Sequence, residues 1–138
     1  MSCDVALLDY YEAPDQPNFD YYQYTYSPEE ELLNNLELVP QWARDQNGSR
    51  TVQNIFEGED DSKKDAVFHS IFKDSMGLIK DRFGNYVFQK IFEKGLPTHR
   101  KILMNSLWGS IVALSMHSYG CRVIQKAIDY ISSCEEEE

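Results

Sequence analysis

Polar and apolar residues follow a helical rhythm over most of the chain. Ser27-Pro28-Glu29-Glu30 places a hydroxyl at an N-cap, a proline in the first turn and a capping-box acid behind it. Leu32, Leu33 and Leu36 then supply an apolar face. Beyond Asp61 or Ser62, either of which suits a cap, the spacing of Ala66, Val67, Phe68, Ile71 and Phe72 predicts a helix through about Lys73. Ser75 opens a short helix carrying Met76, Leu78 and Ile79. Gly84 opens another with Val87, Phe88, Ile91 and Phe92 inward, and Gly95 is placed to stop it. Pro97-Thr98 reads as the next turn, after which Ile102, Leu103, Leu107 and Trp108 repeat the buried face.

The pattern is periodic on a longer scale. Gly48-Ser49-Arg50-Thr51-Val52-Gln53, Gly84-Asn85-Tyr86-Val87-Phe88-Gln89 and Gly120-Cys121-Arg122-Val123-Ile124-Gln125 succeed one another at 36 residues without slippage. The match extends outward through Trp42, Leu78 and Leu114, and through Ile55, Ile91 and Ala127. In the linking segments Phe68 corresponds to Met104, Ile71 to Leu107 and Phe72 to Trp108. A helical unit of this length cannot bury its own apolar face, so neighbours must stack. The expected fold is all-α, a solenoid of three stacked three-helix repeats at about 36–57, 62–95 and 98–131, within a domain spanning 27–134.

Charge divides along the chain. The net charge is −10, yet residues 41–134 carry all thirteen Lys and Arg against ten acids, while residues 1–40 carry nine acids and no base. The middle is therefore mildly basic and a phosphate-bearing partner stays open. Residues 1–26 are expected to be a disordered acidic arm holding six of the nine tyrosines. That arm either docks on a partner or is a tail with loosely packed rings. Glu135 to Glu138 read as a solvated acidic tail. No apolar run approaches the roughly 20 residues of a membrane span, and the start has no basic, apolar leader pattern. Cys3, Cys121 and Cys134 show no disulfide or metal spacing. A cytoplasmic protein with no membrane partner is expected.

The polar residues at matching positions carry the functional signal. The first, second and fifth places after each glycine read Ser49/Arg50/Gln53, Asn85/Tyr86/Gln89 and Cys121/Arg122/Gln125. On a helix the first and fifth share a face, with the second turned by about 100°. Stacking would line up short hydrogen-bonding pairs for base edges, with two guanidiniums and a phenol ring between them for base faces. Unstacked single-stranded RNA is gripped in this way.

These strings, with Phe83-Gly84-Asn85-Tyr86-Val87-Phe88-Gln89-Lys90 and Tyr119-Gly120-Cys121-Arg122-Val123-Ile124-Gln125-Lys126 at full length, resemble the Pumilio (PUF) family of RNA-binding repeats over about residues 36–131. The order of the triplets is most similar to the family's first three repeats. The resemblance implies a code of one base per repeat. Ser49 with Gln53 would read adenine, Asn85 with Gln89 uracil, and Cys121 with Gln125 adenine, with Arg50, Tyr86 and Arg122 as stackers. The implied element is 5′-AUA-3′, in 3′ untranslated regions of mRNA, for post-transcriptional regulation of stability or translation with regulatory protein partners. Family members typically carry eight repeats, so this chain is expected to be a truncated form with apolar surface bare at its C-terminal end. Three stacked bases offer roughly 3–9 kcal/mol before ordering costs, which is millimolar to high-micromolar binding at best.

An enzyme is not expected, nor a metal, a cofactor or a small-molecule substrate. His69, His99 and His117 lack a second ligand at helical spacing. His117 lies four residues before Cys121, but position 117 is the counterpart of Asp45 and Asp81, which assigns it a structural or phosphate-facing role. Two alternatives to RNA reading remain open: a helical-repeat protein-interaction scaffold, or a truncated product with little independent RNA binding.

Overall fold

A computed structural model describes residues 27–137; the acidic tyrosine-rich arm lies outside the described residues. The chain runs through α1 (Pro28–Leu33), a 3-10 turn (Leu36–Leu38), α2 (Val39–Ala43), α3 (Gln46–Glu57) and α4 (Asp61–Phe72). It continues through α5 (Ser75–Ile79), α6 (Gly84–Lys94), α7 (Pro97–Leu107), a 3-10 turn (Trp108–Ser110), α8 (Ile111–Ser115) and α9 (Gly120–Glu137). Among the described residues there is no strand.

Local chemistry sets the boundaries. Ser27 Oγ accepts the Glu30 amide at 3.2 Å, as the capping pattern predicts. α4 is capped by Asp60, one residue before the expected position, because its carboxylate accepts from the Ser62 and Lys63 amides and from the Ser62 hydroxyl. Gly58 and Gly95 end α3 and α6. Pro97 is the first residue of α7 rather than part of a turn, since that position asks for no N–H. α9 continues into the acidic tail to Glu137: glutamate is a good helix former, and no glycine matches Gly58 or Gly95 there.

Three helices of corresponding sequence, α3, α6 and α9, stack in order with α6 between the other two. The short helices α2, α5 and α8 each pack on their own long helix. The reason for glycine at the start of each long helix is a close approach. A Cβ on Gly48, Gly84 or Gly120 would lie 2.4, 2.6 or 3.0 Å from the carbonyl oxygen of Trp42, Leu78 or Leu114. Those three residues are themselves repeat counterparts, so one contact closes each unit.

The core is continuous through the stack, with Phe56, Phe68, Phe88, Ile71, Ile91 and Leu107 buried. His99 of α7 belongs to it. Its ring stacks on Phe68 at 4.2 Å, and its Nε2 hydrogen-bonds Asp65 Oδ1 at 2.9 Å. That bond holds the Asp65 carboxyl below its ordinary range. Lys64 Nζ donates to the Lys94 carbonyl at 3.0 Å, tying α4 to the end of α6.

Counterpart residues differ sharply in exposure at the last unit. Phe92 is 3% exposed and its counterpart Ile128 is 51% exposed. Phe72 is half-buried, whereas Trp108 is 65% exposed, with Val112 and Met116 bare beside it. Phe92 is covered by Tyr130 of α9, at 6.1 Å between ring centroids. The apolar end expected from the repeat count is present.

This asymmetry gives a paired test. Phe92→Ala should cost about 3–5 kcal/mol in denaturant unfolding, and Ile128→Ala less than about 1.5 kcal/mol, although the two share a repeat position. Gly84→Ala should cost about 1–3 kcal/mol, because a backbone carbonyl must move to admit the methyl.

Candidate nucleic-acid interface

The site is built on the first turns of α3, α6 and α9. Each of these turns is held by an acceptor three residues before its glycine. Asp45 Oδ2 accepts from the Asn47 and Gly48 amides at 3.0 and 2.8 Å. Asp81 Oδ2 accepts from Phe83 and Gly84, both at 2.8 Å. In the third unit His117 takes the same place: its Nδ1 accepts from the Tyr119 and Gly120 amides at 3.1 Å. The unprotonated ring nitrogen does the work of a carboxylate oxygen, and the structural role expected for position 117 is the one observed.

The second triplet residues project outward. Arg50 and Arg122 are exposed, and Tyr86 is 42% exposed. They are brought together, since Arg122 Nη1 donates to Tyr86 Oη at 3.0 Å across the unit boundary. With Ser49 and Gln53 they line one cleft of about 540 Å³. The first triplet residues behave differently. Ser49 is 2% exposed and Asn85 is fully buried, each turned back on its own helix. Gln89 is half-buried; Cys121 and Gln125 are exposed and lie outside the cleft lining.

Four residues of that lining were not singled out in the sequence: Gln46, Arg82, Phe83 and Tyr119. The signal was available, because Phe83 and Tyr119 are 36 residues apart, each immediately before the repeat glycine. The Arg122 guanidinium sits 5.5 Å from the Tyr119 ring and that of Arg82 5.1 Å from Phe83, so cations and ring faces alternate through the cleft. Flat cations beside aromatic rings suit stacking on bases and contact with phosphate.

Beside the cleft runs a ladder of charges. Lys90 Nζ bonds Glu57 at 2.5 Å and lies 3.5 Å from Glu93, and Lys126 bonds Glu93 in turn. Each lysine reaches back to the acid of the preceding unit. The Lys126 hydrogen bond, above all, lowers the Glu93 carboxyl, and the Lys90 bond lowers Glu57.

Comparison with known proteins follows this geometry. The family model of the Pumilio-family RNA binding repeat matches residues 39–72, 76–107 and 110–136. The chain belongs to the Pumilio family. It is 38% identical to Pumilio homolog 1 of Xenopus laevis over 93 residues, which are 67% of this chain and 8% of that protein. It is 34% identical to a Pumilio domain-containing protein of Schizosaccharomyces pombe, over 69% of this chain and 14% of the relative. Among solved structures it resembles a Puf3 RNA binding domain bound to a Cox17 RNA 3′ UTR recognition sequence. The TM-score is 0.70 and the identity 32%, covering 80% of this chain and 32% of that one. The RNA-binding domain of yeast Puf5p bound to SMX2 RNA matches with TM-score 0.62 and 27% identity, over 78% of this chain and 28% of that one. The chain thus spans under a third of the length of these relatives. Each of the three Pumilio matches opens within one residue of the start of a short helix, α2, α5 or α8. Among the described residues no group of three His, Cys, Asp or Glu could hold a metal ion, and no helix is long and apolar enough to cross a membrane.

Two tests follow from the caps and the ladder. His117→Ala should destabilise by about 0.5–2 kcal/mol, because two helix-start amides lose their acceptor. His117→Asp, which restores the carboxylate of the other Pumilio units, should stabilise by about 0.3–1 kcal/mol at neutral pH. The second test is acid unfolding. The folded Glu93 pKa is lowered, so its contribution is full above the ordinary glutamate range, near about 4.3, and is lost as pH falls through the folded value. Glu93→Gln should therefore flatten the acid limb of a stability-versus-pH curve and leave its neutral-to-alkaline part without that pair's contribution.

Proposed function

We propose that the three-unit face binds single-stranded RNA sequence-specifically, one base per repeat, with 5′-AUA-3′ as its element. The observation that carries this reading is the meeting in one cleft of Arg50, Tyr86 and Arg122, at 36-residue intervals of a Pumilio stack, with Ser49 and Gln53 of the first unit. In the free protein the Arg122–Tyr86 bond spans the space between neighbouring stackers. A base entering there exchanges that exposed bond for contact with both flat groups, a trade favoured by stacking at about 1–3 kcal/mol per base. Ser49 with Gln53 is assigned to adenine, Asn85 with Gln89 to uracil and Cys121 with Gln125 to adenine. The related Puf3 domain was solved on a 3′ UTR recognition sequence, which supports mRNA 3′ untranslated regions as targets. The role assigned is non-enzymatic, cytoplasmic control of message stability or translation, together with regulatory protein partners.

A second reading has its own observation. Trp108, Val112, Met116 and Ile128 are all exposed, and exposed apolar residues in such number mark a candidate contact surface. It favours a protein-interaction scaffold in which the stack docks through its last unit.

Fluorescence anisotropy with UGUAAAUA, and with its terminal AUA changed to CCC, separates the two at low and physiological salt. RNA reading expects preference for the first RNA, even in the high-micromolar range, and weakening with salt. Equal or absent binding would sink it and leave the scaffold. Asn85→Ser with Gln89→Glu should move the middle preference from uracil to guanine.

A further inference from the structure

Each unit gives the cleft one guanidinium, but the units do not draw it from the same place. Units one and three supply theirs at the second triplet position, as Arg50 and Arg122. Unit two carries Tyr86 there, a ring with no charge and no fork of N–H donors. Its guanidinium comes from Arg82, two residues before the repeat glycine. The counterparts of Arg82 at 36 residues are Gln46 and Ser118, neither of them charged. An arginine at this position is therefore a property of the middle unit, and the repeat itself does not call for it. Packing does not call for it either, because Arg82 is exposed.

The setting of Arg82 decides what it can do. Its guanidinium lies over the Phe83 ring, 5.1 Å from the centroid, so one flat face is covered and the donor edges are left. Among the described residues no carboxylate pairs with it. The neighbouring lysines differ in this respect, since Lys90 and Lys126 are neutralised by Glu57 and Glu93. The cleft lining holds three arginines and no acid, which concentrates a positive field beside the exposed flat groups. A guanidinium with one face spent on a ring and its edges unpaired matches a phosphate, whose oxygens accept two parallel N–H bonds. Arg82 also stands four residues before Tyr86 in the same cleft, beside the row of stackers and outside it.

We infer that Arg82 is a phosphate anchor: it holds the RNA backbone at the middle unit, where the stacker is a tyrosine and brings no charge of its own. The inference rests on the RNA reading above and adds a contact outside the three triplets, to the backbone. Phosphate contacts fix position without carrying sequence. Arg82 therefore strengthens binding equally for any single strand. In a chain of three units, with few bases to grip, one charge-assisted contact of this kind is a sizeable share of the whole.

The test uses the full chain with UGUAAAUA and UGUAACCC, titrated from low to physiological salt. For single strands each neutralised phosphate contributes about 0.7 to the slope of log K against log salt. Arg82→Gln should therefore lower the wild-type slope by about 0.7 and weaken both RNAs alike, keeping their ratio. Arg82→Lys should keep the slope, because the charge stays. Lys101→Gln, which removes an exposed charge outside the cleft lining, should keep it too. A slope unchanged in Arg82→Gln, or lowered as much in Lys101→Gln, overturns the anchor and leaves RNA reading standing. A ratio that changes in Arg82→Gln does the same, because it places the side chain on a base. A second measurement replaces single phosphates of UGUAAAUA with neutral methylphosphonates. Wild type should lose affinity at one linkage whose replacement costs Arg82→Gln nothing further, and equal losses in the two proteins at every linkage overturn the anchor. Failure of wild type to prefer UGUAAAUA over UGUAACCC overturns the base reading, while the slope still decides the anchor. Absence of binding to either RNA overturns both.

Discussion

The start of each long helix is fixed by two contacts acting together, and the functional surface depends on them. An acceptor three residues upstream takes two amides of the opening turn, and a glycine lets that turn close to within contact of the carbonyl six residues back. The first aligns the helix, because its orphan N–H groups are satisfied in one direction only. The second sets its depth against the short helix of the same unit. Since all three units share both contacts, the residues that follow the glycine emerge at equivalent places. A stack of equivalent helices then presents Arg50, Tyr86 and Arg122 in a row. Without that register these three would be isolated surface residues.

Much of this was legible in the sequence because the period of 36 multiplies weak signals. One glycine or one glutamine on a helix says little, whereas three in step define the units, the inward faces and the outward row of Arg50, Tyr86 and Arg122. The helix over Ser75–Ile79 and the stop at Gly95 came from local rules. Two kinds of information did not. The reason for the glycines is a distance to Trp42, Leu78 and Leu114, which are close in space for a reason no local pattern states. The inward turn of Ser49 and Asn85 is likewise invisible, because the same residue types would serve equally as outward readers. His117 is the intermediate case. Position in the repeat showed that it replaces an aspartate, and the structure supplied the means, a ring nitrogen accepting two amides.

The units are coupled through two layers with different chemistry. Beneath the surface, packing dominates: Phe68 stacks on His99 and Phe92 lies against Tyr130, each in the neighbouring unit. At the rim the coupling is electrostatic, with each lysine reaching back to the acid before it. These exposed pairs are worth little individually. Their consequence is positional, because they occupy Glu57 and Glu93 and so keep those carboxylates away from the glutamines one turn earlier.

That occupation explains how nearly identical helices can offer different hydrogen-bonding edges. The glutamine is the same in all three units, and an amide has two ends of similar shape and opposite polarity. What distinguishes one unit from the next is therefore the neighbour that holds one of those ends. In α6 the neighbour is Asn85, on the turn before; in α9 it is Asp129, on the turn after. Units of one repeat thus differ in polarity through the neighbour that each glutamine meets. The constraint that makes this possible is again the buried first turn, which gives Asn85 two carbonyls to hold and so leaves its oxygen only one direction to face.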